Sequence, residues 1–217
     1  MRIAYVLLTC EKYATTRVPW QLETSLLSVP REDIYYLGHT MDPTKRLFHW
    51  GAKDDYNSLP QKILDFFVNM SMDSYDWIII ADDDTYLFHK RIQRFLNNYS
   101  HQTGNTLTVF GHLLDHIKKK FFEYYSGGAG TILSKALFDE VRKQIKTYEK
   151  PLFHWCADIC LGKWLLDINN RLPISMINLS TFLHPEQYNS KKNNATVAFS
   201  FHHLKEKKHF DELYALE

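Results

Sequence analysis

The chain has 217 residues, of which 45% are hydrophobic, 24% charged and 15% aromatic, with a formal net charge of +1. This length suits one globular domain over 1–217, and the near-neutral balance excludes a global basic field for nucleic acid, since Lys118-Lys119-Lys120 is too short to make one. Cys10, Cys156 and Cys160 form no disulfide framework and no apolar stretch is long enough for a membrane span, so a soluble, cytoplasmic monomer is expected.

Ile3 to Leu8 is a short apolar run emptying into Thr9-Cys10-Glu11, and Asp33 to Leu37 repeats the pattern before Gly38-His39. Both read as buried parallel strands ending in loops. Between Leu59 and Met70 the apolar residues Ile63, Leu64, Phe66, Phe67 and Met70 recur at helical spacing behind Pro60, which a first turn tolerates. Trp77 to Ala81 is the strongest core-strand signal, and its unbroken apolarity predicts cover on both faces. It runs straight into Asp82-Asp83-Asp84.

A helix through Ile92, Phe95 and Leu96 follows, and then a mixed region to Phe121-Phe122. Ser126-Gly127-Gly128-Ala129-Gly130 reads as a turn between strand and helix, with Ser134 as the N-cap of a helix through Leu137, Phe138 and Val141. Ala157 to Ile168 reads as a helix carrying Cys156, Cys160 and Trp164 on one stripe, Gln187 to Thr196 as a polar surface loop, and Lys205 to Leu216 as an amphipathic helix docking on the domain. This alternation indicates an α/β fold with a mostly parallel central sheet flanked by helices, and ligands beyond the carboxyl ends of its strands.

Three acids at a strand mouth suit a hard divalent cation, Mn²⁺ or Mg²⁺, with a diphosphate supplying further oxygens. In an extended segment Asp82 and Asp84 share one side and Asp83 takes the other. A plain solvated turn is the competing reading, but the Ile-rich strand before the acids and Thr85-Tyr86-Leu87 after them weaken it. Phe199 to Leu204 alternates as a strand, which predicts that only one of His202 and His203 faces a given site. A lone histidine is more often a surface or core residue than a ligand. The glycines permit close backbone approach to a ligand, and an ordinary turn needs them equally. Asp158 at a helix start is either a general base for an attacking hydroxyl or a helix-terminus carboxylate.

Taken in order, Trp77…Asp82-Asp83-Asp84-Thr85-Tyr86, Ser126 to Gly130, Asp158-Ile159-Cys160-Leu161-Gly162 and Ser200-Phe201-His202-His203 form a series that resembles the β1,3-glycosyltransferase family of core 1 galactosyltransferase and Fringe. The resemblance extends from Arg2 to Leu216. It implies a GT-A fold, a UDP-sugar donor, Mn²⁺, a glycan or glycoprotein acceptor and inversion at the anomeric carbon. Carried over by position, Asp84 and His202 would hold the metal, Asp82 and Asp83 would face the nucleotide, Gly127 and Gly128 would border the donor sugar, and Asp158 would be the base. Thr9 and Lys62 match positions near the nucleotide pocket.

Two departures stand out. Ala157 occupies a place where the family usually has a second acid, and the membrane anchor, stem and disulfides of animal relatives are missing. In that respect the chain resembles soluble enzymes of the chloroviruses, which glycosylate their own capsid proteins. Two other classes compete: a metal-dependent phosphohydrolase, which would want further acids or histidines on neighbouring strand ends, and a sugar-binding module without turnover.

Overall fold

The computed structural model describes residues 1–103, 106–114, 123–147, 156–183 and 196–217. The elements run β1 (Ile3–Leu8), α1 (Glu11–Ala14), α2 (Arg17–Glu23), β2 (Ile34–Leu37), β3 (Leu47–Phe48), α3 (Leu59–Asn69), β4 (Trp77–Asp82), β5 (Tyr86–Leu87), α4 (His89–Thr103) and β6 (Thr108–Gly111). After these come β7 (Leu113–Leu114), β8 (Tyr124–Tyr125), β9 (Thr131–Ser134), α5 (Lys135–Thr147), α6 (Ala157–Asn169), β10 (Ser175–Asn178), β11 (Phe182–Leu183), β12 (Ser200–Phe201) and α7 (Lys207–Tyr214). Lys118-Lys119-Lys120, Phe121-Phe122 and the loop from Gln187 as far as residue 195 lie outside the described residues.

A seven-stranded sheet of order β10-β6-β9-β4-β1-β2-β3 forms the centre. Its pairs are parallel except at β9, which runs antiparallel to both β4 and β6. Successive side chains of a strand point to opposite faces, and here the two faces feed separate cores. Ile78 and Ile80 join Phe66, Phe67, Phe138 and Trp164 beneath α3, α5 and α6, whereas Trp77, Ile79 and Ala81 join Tyr5, Ile92, Leu96 and Phe110 on the other side. The continuous apolar run of β4 is therefore covered twice, as its composition predicts. Each isoleucine so buried contributes roughly 1.5–3 kcal/mol.

The glycine-rich turn departs from the sequence reading. It joins two strands, β8 and β9, because Thr131-Ile132-Leu133 pairs with Ile80, Ile79 and Ile78. The helix begins only afterwards, and Ser134 caps it: its Oγ accepts the N–H of Leu137 at 3.2 Å. A three-stranded sheet, β11-β12-β5, leans on the first. It is backed by a cluster of Tyr86, Phe88, Ala198, Phe201, Leu204, Phe210 and Leu213, with Trp20 against it. This cluster brings the C-terminal segment, and with it His202 and His203, over the end of β4.

Candidate active site

The carboxyl ends of β1 and β4, the turn before β9, the start of α6 and the segment after β12 surround a cleft of about 570 Å³. Thr9, Lys62, Asp82, Asp83, Asp84, Gly128, Asp158 and His202 all line it. That volume lies in the range of small-molecule sites, and a cleft beyond the carboxyl ends of parallel strands is where α/β sheets bind ligands.

Asp82 ends β4, and the next two acids lie in a turn closed by Thr85 N–H donating to Asp82 O at 3.2 Å. The segment is not extended as the sequence reading assumed, yet its sidedness holds. His202 Nε2 stands 3.5 Å from Asp82 Oδ2 and 3.3 Å from Asp84 Oδ1. Asp83 points elsewhere: it accepts from Thr9 Oγ1 at 2.7 Å and from Arg17 Nη1 at 2.9 Å. Arg17 also lies 3.6 Å from Asp84 Oδ2 and is stacked 3.6 Å from the ring centre of Tyr13. Two cations therefore balance the acidic turn, one on each side.

These contacts set the ionisation of the site. Burial pushes the Asp83 carboxyl up to about 6 against the pull of Thr9 and Arg17. Burial acts the same way on Asp84, but there His202 and Arg17 prevail and hold the carboxyl below its ordinary value. Burial alone would lower His202, whereas Asp82 and Asp84 raise it to about 9. Asp158 is pushed up to about 6 by burial and by the charge of Asp82, while the Gly127 N–H pulls the other way.

The two glycines are required by close approach. A Cβ on Gly127 would stand 2.5 Å from Asp158 Oδ1, and one on Gly128 would overlap the His202 imidazole and stand 2.8 Å from Asp82 Oδ2. Gly128 O in turn accepts from Thr85 Oγ1 at 2.6 Å, which ties the glycine turn to the acidic one. Lys62 is buried, with Nζ donating to Thr9 O and to Asp54 Oδ1, both at 2.8 Å. It acts as a strut of the wall, since two oxygens already hold its ammonium.

Two residues that sequence patterns did not bring forward organise the acids. Gln21 is fully buried, and its amide donates to Thr85 O at 2.9 Å and to Asp82 O at 3.3 Å. Arg17 is the other. Both belong to α2, whose short run carries no motif, and the Tyr13-to-Arg17 spacing of four was the only local hint. The expectation that one histidine faces the site is overturned as well. β12 ends at Phe201, His203 takes a left-handed φ of 66°, and Leu204 N–H donates to Asp84 O at 2.9 Å, so strand alternation stops before the pair. Asp84, His202 and His203 can each place one ligand atom within 4.8 Å of the others.

The donor set fits a divalent cation. Asp84 Oδ1 is buried and accepts no well-formed hydrogen bond, although His202 Nε2 is only 3.3 Å away. A neutral His202 would turn a nitrogen lone pair toward the two carboxylates, a donor set that a metal ion can take in place of a proton.

The Fringe-like family model matches residues 3–215. The chain belongs to the Fringe-like family. A human β-1,3-glucosyltransferase is 27% identical over 134 residues, which make up 58% of this chain and 25% of that protein. The Fringe-like chain therefore spans about a quarter of the length of that curated relative. Among solved structures, a glycosyltransferase involved in glycosylation of the major capsid of PBCV-1 superimposes with a TM-score of 0.56 at 11% identity, covering 98% of this chain and 99% of that one. An active-site mutant of LgtC gives 0.52 at 12% identity, covering 99% and 95%. At such identities the likeness is one of fold, and the fold is GT-A. The match over residues 3–215 shows the family and the two solved structures show the fold, and no helix among the described residues is long and apolar enough to cross a membrane.

Proposed function

We propose that residues 1–217 act as one catalytic domain, a metal-dependent, inverting hexosyltransferase that moves glucose, galactose or rhamnose from a UDP-sugar to a hydroxyl of a glycan acceptor. The observation that carries this reading is the placing of the Asp158 carboxylate and the Asp84–His202 pair on one cleft, with Gly127 and Gly128 packed against them. A base and a leaving-group site on one cleft are what direct displacement needs.

Asp84 and His202 would hold Mn²⁺, or Mg²⁺ in its place; the ion supplies the positive charge that stabilises a departing diphosphate. Asp82, together with the Thr9–Asp83–Arg17 group, borders the nucleotide, and the Lys62–Asp54 pair stiffens the wall beside it. Asp158 takes the proton of the acceptor hydroxyl as its oxygen bonds to the anomeric carbon. The bond from that carbon to the diphosphate oxygen breaks, and UDP leaves. A carboxyl raised to about 6 is ionised at neutral pH and still basic enough for this task. Ala157 is buried beside it, so a single acid serves this step. The acceptor is read as a glycan of a glycoprotein, with a capsid protein one case, as for the PBCV-1 enzyme.

Release of UDP from a panel of UDP-sugars, with Mn²⁺ and with chelator, tests the reading. Chelator-sensitive release with one donor, lost in both Asp84→Ala and Asp158→Ala, is the expected result. Tight UDP binding without release by the unaltered protein would instead make it a binding module.

A further inference from the structure

We propose that His203 is a third protein ligand of the metal, so that the site presents two imidazoles and one carboxylate and selects transition ions over Mg²⁺. The proposal rests on the metal-dependent reading above and concerns which ion the site takes.

Geometry is the first argument. Two ligands of one ion with bonds of about 2.1 Å stand about 3.0 Å apart when adjacent and about 4.2 Å apart when opposite. His202 Nε2 and Asp84 Oδ1 are 3.3 Å apart, and the donor atoms of Asp84, His202 and His203 all lie within 4.8 Å of one another. The His202–Asp84 pair is thus already near the adjacent spacing, and 4.8 Å bounds the separation of the His203 imidazole from both. The imidazoles, with centroids 4.7 Å apart and planes inclined by 54°, are not stacked flat on each other.

The backbone supplies an independent argument. His203 takes a φ of 66°, in the left-handed region that histidine enters more readily than most residues with a Cβ. That conformation interrupts the alternation that would have sent His203 to the opposite face from His202. The bond from Leu204 N–H to Asp84 O fastens the bend to the residue that shares the ion. The bend lies in a segment anchored by buried Leu204 and Phe201.

The chemistry follows from the donors. Mg²⁺ prefers oxygen and dehydrates reluctantly, whereas imidazole suits later transition ions, whose affinity rises from Mn²⁺ through Co²⁺ to Ni²⁺. A second imidazole in place of a water thus widens the gap between Co²⁺ or Mn²⁺ and Mg²⁺.

Titration of the full chain with Co²⁺ alone, followed by calorimetry and by the visible absorption of the bound ion, tests this without any turnover. Asn tolerates a left-handed φ, so His203→Asn removes the imidazole while keeping the bend. The variant is expected to bind Co²⁺ at least ~10-fold more weakly, with an altered absorption spectrum, while its Mg²⁺ affinity stays as in the unaltered protein. His203→Gly, which relaxes the backbone, is expected to show the same loss and guards against misfolding of the Asn variant. Unchanged Co²⁺ affinity and spectrum in both variants, alongside loss in His202→Asn, would overturn the role of His203 and leave the Asp84–His202 site standing. No binding of Co²⁺, Mn²⁺ or Mg²⁺ by the unaltered protein, with or without UDP, would overturn the metal-dependent reading itself.

Discussion

Asp158 carries a carboxyl that burial and the neighbouring Asp82 push up to about 6, from an ordinary value near 3.8. Because the folded-state value is the higher one, the neutral form is favoured by folding. The resulting stability is fully present below pH ~4 and is lost as pH rises through about 6. Above that, an ionised Asp158 costs the fold ~1–3 kcal/mol, while only the ionised form can accept a proton. Asp158→Asn is therefore expected to raise the melting temperature by several degrees at pH 8 and to leave it unchanged at pH 4. The same variant is expected to lose roughly 10²–10⁴-fold in turnover while still binding UDP, and turnover of the unaltered protein should fall as pH drops below about 6. Thermal melts at the two pH values and UDP-release rates across the range check all three outcomes; a variant less stable at pH 8 would mean that the carboxylate is better solvated than its setting implies.

At the scale of elements, α7 has no residue on the cleft, yet it decides where the histidines stand. Phe210 and Leu213 plug the cluster under β5 and β12, with Phe210 6.0 Å from Trp20 and 6.1 Å from Tyr86 between ring centres. Truncating a buried aromatic leaves a cavity that its surroundings only partly close. Phe210→Ala is expected to cost ~3–5 kcal/mol in denaturant unfolding and to weaken Mn²⁺ binding, since the segment holding His202 loses its support. Val141→Ala, in the core on the far side of the sheet, should lower stability without that effect on the ion, which calorimetry distinguishes. The acidic turn has a comparable support in α2, where Gln21 and Arg17 hold its backbone and its carboxylates.

For the whole molecule, an ion held between Asp84 and His202 requires the two segments to be brought together, so ligation and folding are linked. A ligand that binds only the folded state at 100 times its dissociation constant adds ~2.7 kcal/mol. Mn²⁺ with UDP should thus raise the melting temperature by roughly 5–10 °C, chelator should reverse the rise, and Asp84→Ala should show none of it. Scanning calorimetry measures this directly, and an equal rise in the Asp84→Ala protein would move the ion elsewhere.

The sequence by itself determined the elements whose signals are local. The apolar run of β4 into three acids, the helical period of α3 and α5, the Ser134 cap and the glycines beside the cleft all depend on neighbours a few positions apart. Recognition of four motifs in order then supplied the family. What only the tertiary structure decided are contacts between segments far apart in the chain. Arg17 meets Asp83 across 66 positions, Gln21 meets Thr85 across 64, and His203 joins Asp84 through a bend that no alternating pattern encodes. Such pairings arise because three separate hydrophobic clusters close around the sheet and bring the loops together, and side-chain periodicity carries no record of which loops will meet.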